Sequence, residues 1–144
     1  ENLNYRDTVR GVEMSGEDRR IYGELEAILE KSGMKYPTMR DLTASVTSDE
    51  GKLVNLLHFL QEEGRAVRLP GEGYISAVAL QKIVDGVRRM LEENGSMSVG
   101  DLKEMTDLSR KYAVPILEYL DGEGFTMRRG DKRVAGPRLG SGED

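Results

Sequence analysis

The chain contains two copies of one sequence pattern, related by a shift of 60 residues. This shift places residues 38–42 on residues 98–102, and it places residues 53–60 on residues 113–120. Upstream of these segments the shift becomes 62, as a two-residue insertion before Pro37 would produce. Repetition at a fixed period indicates that one structural unit occurs twice. Units of about 60 residues are small, and packing two of them together buries more apolar surface than either does alone.

In the first copy, the sequence predicts three helices followed by a hairpin. Apolar residues recur at intervals of three and four in residues 21–29 and 53–60, which is typical of helices with one buried face. Residues suited to helix N-termini precede the three helices: Ser15 or Gly16, Thr38, and Ser48 or Asp49. The third helix is expected to end at Gly64. Residues 65–76 are then typical of a strand, a turn rich in Pro and Gly, and a second strand.

The second copy repeats this order of elements. A long helix is expected over about residues 77–93, and Ser98 and Ser109 are suited to cap two further helices. Residues 125–134 follow as a second hairpin. Because Pro115 lies inside the third helix, we expect it either to kink that helix or to mark a helix start nearer Pro115.

A helix-turn-helix followed by a hairpin is the winged-helix arrangement. We therefore predict a mainly α fold with small β-hairpins (α+β), built from two tandem winged-helix domains. The first domain is expected over residues 15–75 and the second over residues 76–135. Residues 1–14 are expected to be a linker or the end of a preceding domain, and the Gly/Ser-rich residues 136–144 a flexible tail.

Composition excludes several classes of function. No apolar run approaches the ~18 residues of a membrane-spanning helix. The absence of Cys and the single histidine, His58, leave no set of thiolate or imidazole ligands for a metal. No residues are spaced as an active site. We therefore expect a cytoplasmic, monomeric chain without enzymatic activity, metal or cofactor, and the missing initiator Met indicates a fragment of a longer protein.

Positive charge is confined to one part of this acidic chain, whose net charge is −5. Residues 1–75 carry 10 Lys and Arg against 14 Asp and Glu, and residues 76–144 carry 11 against 12. Within residues 125–138, however, five basic residues accompany one acid. An acidic chain is unlike a general nucleic-acid coat protein, whereas a local basic cluster fits a confined contact with phosphate.

Two clusters in the second copy are candidates for a nucleic-acid interface. One begins the third helix, where unpaired N–H groups and the helix dipole favour phosphate: Ser109, Arg110, Lys111 and Tyr112. The other surrounds the hairpin turn: Arg128, Arg129, Gly130, Asp131, Lys132 and Arg133. Both clusters also have explanations without a ligand. Cations at a helix start can simply be solvated, and cations on a hairpin edge protect it against aggregation. Since the first hairpin lacks such a cluster, we favour the functional interpretation.

The same residues resemble one known family. The segments SRKYAVPILEYLD, GFT and RRGDKR, at residues 109–121, 124–126 and 128–133, resemble the C-terminal end of bacterial SelB, the family of selenocysteine-specific translation elongation factors. The resemblance covers residues 97–134, about a quarter of the chain. The repeat upstream agrees with the tandem winged helices of that family.

The resemblance implies that the last winged helix binds the selenocysteine-insertion (SECIS) hairpin of messenger RNA to direct UGA recoding. By position, the implied RNA contacts are the ten residues of the two clusters, at the start of the third helix and on the wing. It also implies the ribosome as a partner of the full-length factor, whose GTPase and tRNA-binding part would lie upstream, and no membrane partner. The residues alone leave two alternatives: a DNA-binding transcription regulator, or a tandem winged-helix scaffold that binds protein.

Overall fold

The computed structural model describes residues 8–9 and 12–140, with side chains for residues 14–139. The chain divides into two compact units. The first comprises the residues up to Arg68 together with Glu72–Ala77, and the second comprises Leu69–Gly71 together with the residues from Val78 onward. Each unit contains three helices in the same order, followed by a two-stranded antiparallel hairpin.

In the first unit, a short strand pair precedes the helices. The elements are β1 (Thr8–Val9), β2 (Val12–Glu13), α1 (Gly16–Ser32), α2 (Met39–Ser45), α3 (Glu50–Glu62), β3 (Ala66–Arg68) and β4 (Tyr74–Ser76). Of the alternative caps, the structure selects Ser15 and Asp49, whose side chains accept hydrogen bonds from the N–H groups of Asp18 and Lys52, both at 3.1 Å. Thr38 caps α2 as predicted, since its hydroxyl and the Asp41 carboxylate form a capping box.

The core of the first unit comes from the apolar faces that the sequence spacing predicts. Fully or almost fully buried residues of α1, α2 and α3 form it: Ile21, Tyr22, Leu25, Leu29, Leu42, Leu53, Leu56, Leu57 and Leu60. Met14 also belongs to this core. The segment expected as a linker over residues 1–14 therefore contains β1, β2 and a core residue, and its remaining residues, 1–7 and 10–11, lie outside the described part of the chain.

The second unit repeats the arrangement with a longer first helix. Its elements are α4 (Ala77–Asn94), α5 (Val99–Thr106), α6 (Arg110–Gly122), β5 (Thr126–Arg129), β6 (Lys132–Ala135) and α7 (Pro137–Gly140). Ser98 caps α5 with a capping box to Asp101. Buried apolar residues from the three long helices line the interior: Ile83, Val84, Val87, Leu91, Leu102, Ala113, Ile116, Leu117 and Leu120. The prediction of a mainly helical fold with small antiparallel hairpins is confirmed.

Helix α6 begins at Arg110, so the alternative of a start nearer Pro115 is wrong. Pro115 occupies the sixth position of a helix that runs from Arg110 to Gly122. Only the first four N–H groups of a helix lack an intrahelical acceptor, so Pro115 removes one helical hydrogen bond. Burial of Ala113, Ile116 and the other apolar residues of this helix offsets the loss.

The expected flexible tail over residues 136–144 is wrong for its first half. Residues Pro137–Gly140 form α7, and Leu139 is buried. The guanidinium of Arg138 lies 4.2 Å from the centre of the Phe125 ring and forms an ion pair of 3.1 Å with Glu123. Cation–π stacking and this ion pair hold the segment on the second unit. Residues 141–144 lie outside the described part of the chain.

No helix in the described part of the chain is both long enough and apolar enough to cross a membrane.

Candidate nucleic-acid interface

The first predicted cluster lies at the N-terminus of α6. Ser109 is the cap residue by backbone geometry, but its hydroxyl makes no capping hydrogen bond. The first turn contains no acidic residue, unlike the first turns of α1, α3 and α5. Arg110 and Lys111 are exposed, and the ammonium of Lys111 lies 5.5 Å from the centre of the Tyr112 ring. The positive end of the helix dipole therefore coincides with two exposed cations, an arrangement that favours phosphate.

The second predicted cluster lies on the wing, which we define as β5, β6 and the turn between them. Arg129 pairs with Lys132 at the end of the hairpin, so Gly130 and Asp131 form a two-residue turn. Gly130 has a φ of 62°, the left-handed conformation that glycine adopts without steric cost. This local choice of turn residues brings the basic side chains of both strands to one end of the wing.

The pairing of the strands sorts the wing cations into two groups. Arg128 pairs with Arg133, and Arg129 pairs with Lys132. Because side chains alternate between the two faces of a hairpin, the first pair shares one face and the second pair shares the other. The cations of the wing therefore do not form a single patch.

A cavity of about 350 Å³ lies between the two clusters, within the second unit. It is lined by residues of α5 and its cap, of α6 and of the wing: Ser98, Val99, Gly100, Arg110, Val114, Leu117, Glu118, Asp121, Arg128, Asp131 and Arg133. Three arginines and three acids thus surround it, together with apolar carbon. Both donors and acceptors are available to a polar ligand, and the apolar walls provide surface for a flat group.

Arg133 differs from the other predicted contacts because its side chain is buried. Its Nη2 atom lies 2.9 Å from Oδ2 of Asp121, and its Nε atom donates to the same carboxylate at 3.3 and 3.4 Å. The guanidinium is therefore occupied by a carboxylate of α6 rather than facing solvent. Arg133, which the sequence predicts as an RNA contact of the wing, is thus a buried ion-pair partner of Asp121 in the structure. The other nine residues of the two clusters are exposed or, for Tyr112, partly exposed.

Several residues of the cavity were not predicted from the sequence. On α6 these are Val114, Leu117, Glu118 and Asp121, which lie 4, 7, 8 and 11 residues after the predicted Arg110. This spacing places them on the same face of the helix as Arg110. They could therefore have been predicted from the sequence as neighbours of Arg110. The contribution of α5 depends on tertiary packing, and no pattern near Ser98 indicated it.

The equivalent helix start in the first unit has the opposite charge. Helix α3 begins with Asp49 and Glu50, and its nearest cation, Lys52, forms ion pairs with Asp18 at 3.2 Å and Glu17 at 3.5 Å. The hydrogen bond with Asp18 is the main cause that raises the pKa of Lys52 above its ordinary value. An acidic helix start repels phosphate, so the geometry favours an interface in the second unit only.

Sequence comparisons place the chain among elongation factors. A family model described as elongation factor SelB, winged helix, matches residues 89–135. A selenocysteine-specific elongation factor of Desulfomicrobium baculatum is 34% identical over 109 residues, which cover 76% of this chain and 17% of that relative. The factor of Escherichia coli (strain K12) is 29% identical over 96 residues, covering 67% of this chain and 16% of the relative. The chain thus spans about a sixth of the length of these curated relatives.

A solved structure has the same fold as this chain over almost the whole length of the solved domain. It is the mRNA-binding domain of elongation factor SelB from E. coli in complex with SECIS RNA, with a TM-score of 0.75 and 26% sequence identity. The match covers 85% of this chain and 99% of that domain. Fold, family model and sequence relatives agree. The chain therefore belongs to the SelB family of selenocysteine-specific elongation factors, and it corresponds to the C-terminal winged-helix region of that family.

Proposed function

We propose that the second unit binds the SECIS hairpin of messenger RNA, through the start of α6 and the wing. The observation that carries this proposal is the position of Arg110 on α6 and Arg128 on β5, since both line one cavity. The solved relative with the same fold is a complex with SECIS RNA, which supports the choice of ligand. The acidic start of α3 explains why the proposal is restricted to one of the two units.

Three cations outside the cavity are proposed to hold the RNA backbone. Lys111, Arg129 and Lys132 are exposed, and Arg129 and Lys132 share the face of the wing opposite to Arg128 and Arg133. Contacts with phosphate position an RNA without reading its sequence. These contacts also release condensed counterions, so the affinity they provide decreases as salt increases.

The residues that line the cavity are proposed to read bases. A cavity of about 350 Å³ is within the size of sites that hold small ligands, so it admits a single nucleobase. Loop bases of an RNA hairpin are unstacked and present edges that a protein can read, whereas the deep groove of a paired stem is closed to side chains. Arg110 and Arg128 supply donors for a base edge or a plane for stacking, and Asp131 supplies an acceptor.

The function of the whole factor extends this proposal. As part of a longer protein, the chain would attach the factor to the message near the ribosome, so that selenocysteine is inserted at UGA. The fragment itself is a non-catalytic winged-helix region. A GTPase belongs to the part of the factor outside this chain, and the place of action is the cytoplasm. The chain is proposed to act there as a monomer, without a cofactor.

The test is a selection of RNA hairpins by the full chain. A library with a fixed stem and a randomised loop is passed over the protein, and the dissociation constant of the enriched hairpin is then measured. The controls are the same hairpin with its loop bases permuted and a DNA duplex of the stem sequence, all at one salt concentration. We expect a preference of about tenfold or more for the enriched hairpin. Failure to enrich any loop, or equal affinity for the DNA duplex, would contradict the proposal.

A further inference from the structure

The ion pair between Arg133 and Asp121 is part of a buried network between the wing and α6. The side chain of Arg133 is 7% exposed and that of Asp121 is 26% exposed. Asp121 Oδ1 also accepts a hydrogen bond from the hydroxyl of Thr126, at 2.6 Å, and Thr126 is fully buried. One carboxylate of α6 therefore binds a residue on each strand of the wing.

The backbone of Arg133 connects the wing to the segment that begins α5. The N–H of Arg133 donates to the carbonyl oxygen of Met97 at 2.8 Å, and the N–H of Met97 donates to the carbonyl oxygen of Arg133 at 2.9 Å. Met97 directly precedes Ser98, which caps α5 and lines the cavity. Arg133 thus connects α6, the wing and the start of α5, which together line the cavity. It also lies directly across the hairpin from Arg128.

The first unit is an internal control for what a wing needs to fold. Arg128 pairs with Arg133, and its equivalent Arg68 pairs with Tyr74, so Tyr74 occupies the position of Arg133. Gln61 occupies the position of Asp121. A backbone contact is present there too, since the N–H of Tyr74 donates to the carbonyl oxygen of Pro37 at 3.1 Å. Gln61 accepts a hydrogen bond from the backbone N–H of Arg68 at 3.2 Å, and a glutamine cannot form the ion pair that Asp121 forms. A wing of this kind therefore forms without the buried ion pair.

A buried ion pair is not by itself a stabilising feature, because desolvation of the two charges offsets their attraction. Its presence in the unit with the basic wing, and not at the equivalent place in the other, calls for another explanation. We propose that Asp121 and Arg133 are positioning residues for RNA recognition, which fix the wing over the cavity so that Arg128 and Asp131 face a base in one orientation. This inference rests on the proposed function of the second unit.

The test removes both charges together in the full chain. The double variant Asp121→Gln with Arg133→Met keeps an acceptor for Thr126, keeps an apolar stem in the place of the arginine and leaves the net charge unchanged. The probes are the hairpin enriched by selection and its loop-permuted control. We expect the preference for the enriched hairpin to fall about tenfold. The affinity for the permuted hairpin should stay within about twofold, because the net charge is the same.

A second measurement separates positioning from a purely structural role. In the wild-type background, Arg128→Ala should lower the preference for the enriched hairpin about tenfold. In the double-variant background the same substitution should lower it less than about twofold, since the wing that carries Arg128 is no longer fixed over the cavity. Additive losses in the two backgrounds would overturn the proposal.

Arg133→Lys covers the case in which the double variant fails to fold. Lysine keeps the buried charge but cannot bind Asp121 through two nitrogens of a planar group, so the preference should fall while the melting temperature stays within a few degrees. Full preference in this variant would overturn the positioning role. A wild-type chain that prefers no hairpin would instead overturn the proposed function, before any variant is compared.

Discussion

The Nε atom of Arg128 donates a hydrogen bond to the carbonyl oxygen of Gly130, at 3.0 Å. The side chain is thus tied to the turn of its own wing, and the bond uses one of the five N–H donors of the guanidinium. An arginine held in this way loses less side-chain entropy when it binds a second partner. The turn conformation at Gly130 and the direction of Arg128 are therefore coupled.

The first prediction concerns Arg128 and its counterpart in the first unit, Arg68. Replacement of Arg128 by alanine should weaken binding of the enriched hairpin by about 1–3 kcal/mol, the range of one bidentate base contact. Arg68→Ala is the matched control, since Arg68 is exposed at the equivalent position of β3. It should change the dissociation constant less than about twofold. Titration of a labelled hairpin at one salt concentration measures both, and equal losses would contradict the assignment of the site to the second unit.

The second prediction concerns the cations outside the cavity. Single alanine substitutions of Lys111, Arg129 and Lys132 should each flatten the slope of log affinity against log salt by about 0.7–0.9, the contribution of one phosphate contact. They should weaken the enriched and permuted hairpins equally, because phosphate contacts carry no sequence information. The control is Lys31→Ala, an exposed cation of the first unit, which should leave the slope unchanged. An unchanged slope in all three variants would exclude this mechanism.

The ends of the helices could be predicted from the sequence because caps are local. Thr38 and Ser98 each have an aspartate three residues later, and both form the capping box that this spacing favours. The choice between Ser15 and Gly16 depended only on which residue has a side-chain acceptor. The order of the elements followed from the repeat, since each feature of one copy could be checked against the other.

The C-terminal helix could not be predicted because a distant backbone contact positions it. Gly136 donates its N–H to the carbonyl oxygen of Phe125, and Arg138 donates its N–H to the carbonyl oxygen of Gly124. A segment rich in Gly and Ser is typical of a flexible tail when it is considered alone. The partners of this segment lie more than ten residues earlier in the chain, and no local pattern indicates them.

The candidate site was predicted only in part, because some of its features depend on local sequence and others on contacts between distant residues. The two basic clusters are contiguous in the sequence, so their position at a helix start and at a turn followed from local rules. The burial of Arg133 depends on Asp121, which lies 12 residues earlier on another element. Because side chains alternate along a strand, Arg133 and Lys132 are expected on opposite faces of the wing. This alternation does not indicate which of the two faces packs against α6.

The third prediction tests whether residues 136–140 pack as the structure shows. A Cβ atom added at Gly136 would lie 2.4 Å from the carbonyl oxygen of Gly124, which is backbone and cannot turn aside. Gly136→Ala should therefore destabilise the chain by about 1–3 kcal/mol, as overpacking of an interior does. Gly122→Ala is the control, because nothing lies within 4 Å of a Cβ atom at this helical position, and it should stabilise the chain by about 0.4–1 kcal/mol. Urea unfolding measures both, and equal midpoints would contradict the packing of α7.

The fourth prediction concerns Asp131, the acid at the turn of a basic wing. Its carboxylate repels phosphate, so a wing that bound only phosphate would be improved by its removal. Asp131 also lines the cavity, where a carboxylate accepts hydrogen bonds from the amino and imino groups of a base. The substitution Asp131→Asn keeps the size of the side chain and removes its charge.

We expect Asp131→Asn to lower the preference for the enriched hairpin by about 1–3 kcal/mol, by analogy with base contacts in DNA. The loss should fall on the enriched hairpin, while the loop-permuted hairpin should bind slightly tighter because one repulsion is gone. The measured quantity is the ratio of the two dissociation constants at one salt concentration. The control is Lys132→Gln, since Lys132 lies next to Asp131 and on the face of the wing opposite to Arg133. It should weaken the binding of both hairpins and leave the ratio of their dissociation constants unchanged. If Asp131→Asn tightened both hairpins equally, Asp131 would take no part in base recognition, which would then have to come from Arg110 and Arg128.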